Sequence, residues 1–244
     1  MILRRLVLPL LFASTAPGQI PDSFSNLRFF PKDIPKARLV EEMKSFTLAT
    51  GLRCDGCHVG GPGLDTIDFA SDEKETKRTA RAMLAMVRAI NDDHVGRLGR
   101  AKDVKVVCAT CHHGVSKPAL LEKLLAATVR EKGLDAAVAT YRELRRTYYG
   151  RAAYDFGEAT LNTAALSLIA EGKAKEAVRL VELNLEFGAR EALTYNVLSD
   201  ARLTAGDRPG AIAALKTAVE MDPKADFLRK KLERLEKAAG RVDG

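Results

Sequence analysis

"RCDGCHVGG" (residues 53–61) and "CATCHHG" (residues 108–114) decide how the first half of this 244-residue chain is read. Each holds two cysteines three apart with a histidine directly behind: Cys54, Cys57 and His58, then Cys108, Cys111 and His112. Together they contain all 4 cysteines of the chain. Thiols at i and i+3 stand on one side of a single helical turn, and the following residue leaves from its end. Three chemistries use such pairs: disulfides, a zinc site built from two cysteine pairs, and covalent haem attachment. The histidines separate them. With 4 histidines in the chain, one follows a given cysteine by chance about one time in sixty, so the repeated pattern is a strong form of the haem signal. Four-thiolate zinc would not need His58 or His112, and its knuckles usually stand closer than Cys54 and Cys108 do. The reading is two covalently bound haem c groups. The four thiols form thioethers, and His58 and His112 are axial ligands to two separate irons.

A second axial ligand is sought among 5 methionines. Met43 precedes the first motif in "KARLVEEMKSFTLATG". Leu39, Met43 and Phe46 share one helical face, and Gly51 is a helix stop. Such a helix can lie along a haem plane and offer the Met43 thioether to its distal side. Before the second motif, "SDEKETKRTARAMLAMVRAIN" begins with Ser71, Asp72 and Glu73, a helix start. Met83, Met86, Val87 and Ile90 then form an apolar stripe. Met86 is the ligand expected for the second iron, with Met83 as the alternative. Core packing is the other use of such methionines. His94 and His113 are rivals; His113 adjoins the proximal ligand and is poorly placed to reach the far face of the same iron.

Residues 24–118 resemble the cytochrome c subunit of photosynthetic reaction centres, in a half-length version. The resemblance rests on the helix around Met43 before "CDGCH" and on "ARAMLAMVRAIN" leading to "CATCHHG". It implies a repeated unit of methionine-bearing helix, turn and C-x-x-C-H. This chain has two such motifs where larger members carry four haems. It has Ala109 and His113 where the family often has an aromatic and an arginine.

From about residue 120 the composition changes. Alanine, leucine, glutamate and arginine dominate, and neither cysteine nor histidine occurs. A period of 34 residues aligns Gly172 with Gly206, Ala177 with Ala211 and Asn162 with Asn196. A looser copy uses Gly133 and Ala137. This resembles tetratricopeptide repeats, three hairpins followed by a closing helix over about 225–239. Tyr148, Tyr149, Tyr154 and Phe156 lie in a longer join, where they fill the joint or line a groove.

The chain starts with Arg4 and Arg5, a short apolar run from Leu6 to Ala13, and small residues at Ala16 and Gly18. That is the pattern of a signal peptide over residues 1–18, and it predicts export to the periplasm. No membrane span is expected in the mature chain. There are 39 Lys+Arg against 32 Asp+Glu, a net +7, without a basic stripe interleaved with aromatics, so nucleic-acid binding is not expected.

The fold class expected is all-α: a dihaem c-type cytochrome domain (24–118) followed by a tetratricopeptide-like repeat stack (120–239). The function expected is electron transfer between redox partner proteins, with the repeats binding a peptide or protein. Two filled axial positions favour a carrier over a catalyst. The alternative is a dihaem peroxidase-type enzyme with one open iron.

Overall fold

The computed structural model describes residues 20–61, 63–99 and 104–239. The proposed leader lies outside them. The described residues are helical, with one isolated antiparallel bridge between Val59 and Asp68. No helix among them is long and apolar enough to cross a membrane. The chain divides into two compact units, Met1–Lys117 and Pro118–Gly244.

Among its described residues the first unit has two long α-helices and two short ones. Helix α1 (Lys36–Thr50) ends at Gly51, whose φ of 71° lies in the left-handed region and whose N–H donates to the Thr47 carbonyl. Helix α2 (Cys54–Cys57) is a single turn. Helix α3 (Glu75–Ala89) continues into a π turn over Ile90–His94, a form often found at functional sites. Helix α4 (Cys108–His112) is again about one turn. α1 packs on α4, and α2 packs on α3.

The start of α3 differs from the Ser71 start expected. Residues 71–73 form a loop held from outside. Lys77 Nζ donates to the Ser71 carbonyl, and Arg78 donates to the carbonyls of Asp72 and Glu73. The Asp72 carboxylate is occupied by Asn26, Arg28 and Arg81. With its capping groups committed elsewhere, the helix begins at Glu75 behind Lys74, which makes no side-chain cap.

The second unit is a run of antiparallel helices: α5 (Leu121–Lys132), α6 (Leu134–Tyr148), α7 (Glu158–Ala170), α8 (Ala174–Glu186), α9 (Ala192–Thr204), α10 (Arg208–Met221) and α11 (Asp226–Ala239). Gly172 and Gly206 turn the α7–α8 and α9–α10 hairpins at φ of 76° and 88°. Leu161, Leu168, Leu180, Val181 and Leu183 are fully buried in the main core. A second cluster joins Leu215 and Ala218 to Leu228 and Leu235 of α11. The repeated asparagines do equivalent work. Asn162 on α7 donates to Thr194 on α9 at 2.8 Å, and Asn196 on α9 accepts from Lys231 on α11 at 2.6 Å. Each ties one hairpin to the helix that opens the next element. Tyr154 and Phe156 pack on the core, whereas Tyr149 stays exposed and stacks on Arg145, 4.1 Å from the guanidinium carbon to the ring centre.

Candidate functional site

The first cysteine motif is built by one turn and locked by a returning loop. The His58 N–H donates to the Cys54 carbonyl at 2.9 Å, closing the turn that places Cys54 and Cys57 on one side. His58 then leaves in extended backbone. The chain doubles back so that the Asp68 N–H donates to the Val59 carbonyl at 2.7 Å. The reversal needs glycine at position 60: φ is 135°, and a Cβ there would lie 2.2 Å from the Thr66 carbonyl oxygen. The loop brings the Phe69 ring edge-on to the His58 ring, 5.0 Å between centres.

Side chains of α3 secure this arrangement. Thr76 donates to the Gly56 carbonyl at 2.6 Å, and Lys74 donates to the Asp55 carbonyl. Lys77 is buried and donates to the carbonyls of Phe69, Ala70 and Ser71 at 2.8, 3.0 and 2.7 Å. Burial pushes the Cys57 thiol up, against weaker opposing effects of Thr76 and Lys74. The His58 imidazole is pushed down, first by burial and then by the Lys77 charge; the Phe69 carbonyl opposes this without reversing it. That carbonyl already accepts from Lys77, and His58 Nδ1 is buried without a hydrogen-bond partner.

The second motif is anchored differently. The Val107 N–H donates to Thr110 Oγ1 at 3.0 Å, closing the start of α4. Asn91, from the π turn, clamps the approach to it: its Nδ2 donates to the Val106 carbonyl and its Oδ1 accepts from the Val106 N–H, both at 2.8 Å. At the far end His113 has a φ of 48°, and the Gly114 N–H donates to the Ala49 carbonyl of α1 at 2.8 Å. His112 Nδ1 lies 2.9 Å from the Val115 carbonyl oxygen. An oxygen that only accepts requires Nδ1 to donate, so Nε2 carries the lone pair. This is the tautomer in which an imidazole ligates a metal, with its other nitrogen held by a carbonyl. Burial pushes the Cys108 thiol up.

The two motifs remain separate. No disulfide joins the four cysteines. Among the described residues no three His, Cys, Asp or Glu side chains gather to hold a metal ion. The expected distal ligands lie on the two long helices. Met43 is half-buried on α1, whereas Met83 and Met86 are 41% and 48% exposed on α3. Packing between motifs and methionine helices is crossed: α1, carrying Met43, packs on the second motif's helix, and α3, carrying Met83 and Met86, packs on the first motif's helix. His94 ends the π turn, and His113 sits in the turn behind His112.

These features fit a covalently held planar cofactor at each motif. Two thiols stand i, i+3 on each turn, half-buried at Cys54, Cys57 and Cys108 and exposed at Cys111, an imidazole follows, and large apolar side chains remain uncovered on the helices beside them. Phe69, Thr76, Lys77, Asn91 and Val115 were not singled out in the sequence. Phe69, Thr76 and Lys77 meet the first motif only because the loop after His58 folds back. At the second, the Asn91 side chain binds the backbone of Val106 and Val115 acts through its carbonyl; a backbone group leaves no residue-type signature.

The family model described as photosynthetic reaction centre cytochrome C subunit matches residues 18–147, more than half of the chain. The match includes both motifs and extends past residue 118 through α5 into α6.

Proposed function

The chain belongs to the photosynthetic reaction centre cytochrome c subunit family, whose members are haem-containing electron-transfer cytochromes, and from that premise we propose that it is an exported carrier with two haem c groups. Cys54 and Cys57 attach one, and Cys108 and Cys111 attach the other. His58 and Met43 ligate the first iron; His112 and Met86 ligate the second, with Met83 as the alternative. The observation that carries this reading is the His112 Nδ1 hydrogen bond to the Val115 carbonyl at 2.9 Å. It leaves the Nε2 lone pair of His112, the residue directly behind Cys111, available to a metal.

When bound, haem iron supplies a one-electron cycle between Fe(II) and Fe(III). The chain's own residues supply the attachment thiols, the proximal imidazoles and the apolar faces of α1 and α3. A methionine thioether from Met43 or Met86 would raise the reduction potential of bound haem and leave less room for added ligands. The repeats in the second unit bind a peptide or protein and so bring a redox partner near. Export follows from the leader pattern over residues 1–18.

A pyridine haemochrome assay on the intact protein tests the stoichiometry. Two haems per chain are expected, falling to about one in Cys54→Ser/Cys57→Ser and in Cys108→Ser/Cys111→Ser. An unchanged content in either variant overturns the assignment. Carbon monoxide tests the ligation. Neither reduced iron of the wild type should bind it, whereas Met43→Ala should open one. Binding by the wild type would instead favour the peroxidase-type reading with one open iron.

A further inference from the structure

The two histidines stand in unlike surroundings. His112 donates from Nδ1 to the Val115 carbonyl. His58 Nδ1 has no such partner. The Phe69 carbonyl beside it accepts from Lys77 Nζ at 2.8 Å. The Lys77 side chain is only 10% exposed, so water screens its charge poorly. Arg81 lies behind it, 2.7 Å from the Asp72 carboxylate. Arg28 reaches that carboxylate at 2.9 Å and Lys77 at 3.3 Å. Three cations thus share Asp72, and Asp68, on the same loop, is a second carboxylate near His58.

From this asymmetry we infer that Lys77 is a positioning residue that sets the His58 iron at a higher reduction potential than the His112 iron. The inference rests on the two-haem reading above. Two effects act in the same direction. A buried cation near an iron disfavours the extra positive charge of Fe(III). An imidazole that donates Nδ1–H to a carbonyl is the more basic ligand and stabilises Fe(III), and here that ligand is His112. Lys77 contributes to both, as a charge and by drawing on the Phe69 carbonyl that His58 would otherwise have to itself. Electrons arriving at the second centre then run downhill to the first.

Spectroelectrochemical titration of the intact holoprotein tests this. Two separate midpoints are expected. Lys77→Gln keeps an amide donor for the loop but removes the charge. It should lower the upper midpoint alone, by about 59 mV, a tenfold change for a one-electron couple. Lys77→Arg should restore most of it. Asp72→Asn, which removes the anion from the same cluster, should move that midpoint upward. A purely structural role would not give opposite signs for these two changes. Arg81→Gln, which does not touch the loop carbonyls, provides a second charge deletion and should shift the upper midpoint downward by less. Unmoved midpoints in Lys77→Gln and Arg81→Gln, or a shift confined to the lower midpoint, overturn the inference. Haem counts taken on the same samples separate the cases: fewer than two haems in the wild type defeats the two-haem reading itself.

Discussion

The two units solve the problem of holding helices together in different ways. In the second unit helices bury one another's side chains. Leu161, Leu168, Leu180, Val181, Leu183 and Leu215 are inaccessible, and the contacts that bury them come from neighbouring helices. In the first unit the buried apolar side chains among the described residues are Leu39, Ala49, Ile67 and Val115. Its two fifteen-residue helices leave Leu48 80% exposed and Met86 48% exposed. Order there comes from side chains tied to backbone: Lys77 to three carbonyls, Asn91 to both polar groups of Val106, Thr76 to Gly56. A self-sufficient core and a frame held by side-chain-to-backbone ties are thus joined in one chain.

The sharpest way to break this comparison is to prevent attachment altogether. Replacing Cys54, Cys57, Cys108 and Cys111 together by serine should cost the first unit its cooperative fold, because cofactor binding and folding are coupled where the protein's own core is small. Residues 121–239 should keep their structure. Hydrogen exchange followed by mass spectrometry reads both at once. Protection should collapse across α1 and α3 and persist across α7–α10. Persistent protection in α1 would show that the first unit stands on its own contacts.

The converse change belongs in the repeats. Leu168 and Leu180 are fully buried on α7 and α8. Leu168→Ala or Leu180→Ala should destabilise the second unit by about 2–5 kcal/mol through lost burial and the cavity left behind. Denaturant melting followed by far-ultraviolet circular dichroism measures that loss. The visible spectrum of the holoprotein should not change, since neither leucine lies in the first unit. A spectral shift would mean that the two units do not behave as separate packing systems.

The same contrast governs what was legible in the sequence. The two motifs are legible as repeated residue types at fixed spacing, and each is about one helical turn in the structure. The Met43 helix was legible too: its apolar face and Gly51 stop correspond to α1 and its left-handed cap. The glycine at each hairpin turn of the repeats, Gly172 and Gly206, was visible as a period and is present as positive-φ turns. The start of α3 was misread because Ser71 and Asp72 have the chemistry of caps but spend it on Asn26, Arg81 and the loop. Lys77 carries no signal of burial in its own segment, where acidic and basic residues alternate. Its burial depends on a chain reversal at Gly60, and no local pattern announces which carbonyls a lysine will meet.

The smallest expected effect compares two glycines that share a conformation but differ in surroundings. Gly51 and Gly172 have φ of 71° and 76°. Alanine at either position costs about 1–2 kcal/mol for the left-handed backbone alone. Around Gly172 an added Cβ meets nothing within 4 Å, so Gly172→Ala should cost no more than that. At Gly51 the added Cβ would lie 2.4 Å from the Gly114 carbonyl oxygen, which is backbone and cannot rotate aside. The segment behind His112 must move, and with it the Gly114 N–H bond to the Ala49 carbonyl. Losing that bond adds roughly 1–3 kcal/mol if the donor is left without a partner. Gly51→Ala should therefore exceed Gly172→Ala by about that amount. It should also speed hydrogen exchange at Gly114 and perturb the His112 spectrum, neither of which Gly172→Ala should do. Equal costs for the two substitutions, with exchange at Gly114 unchanged, would mean that the end of α1 does not set the position of the second motif.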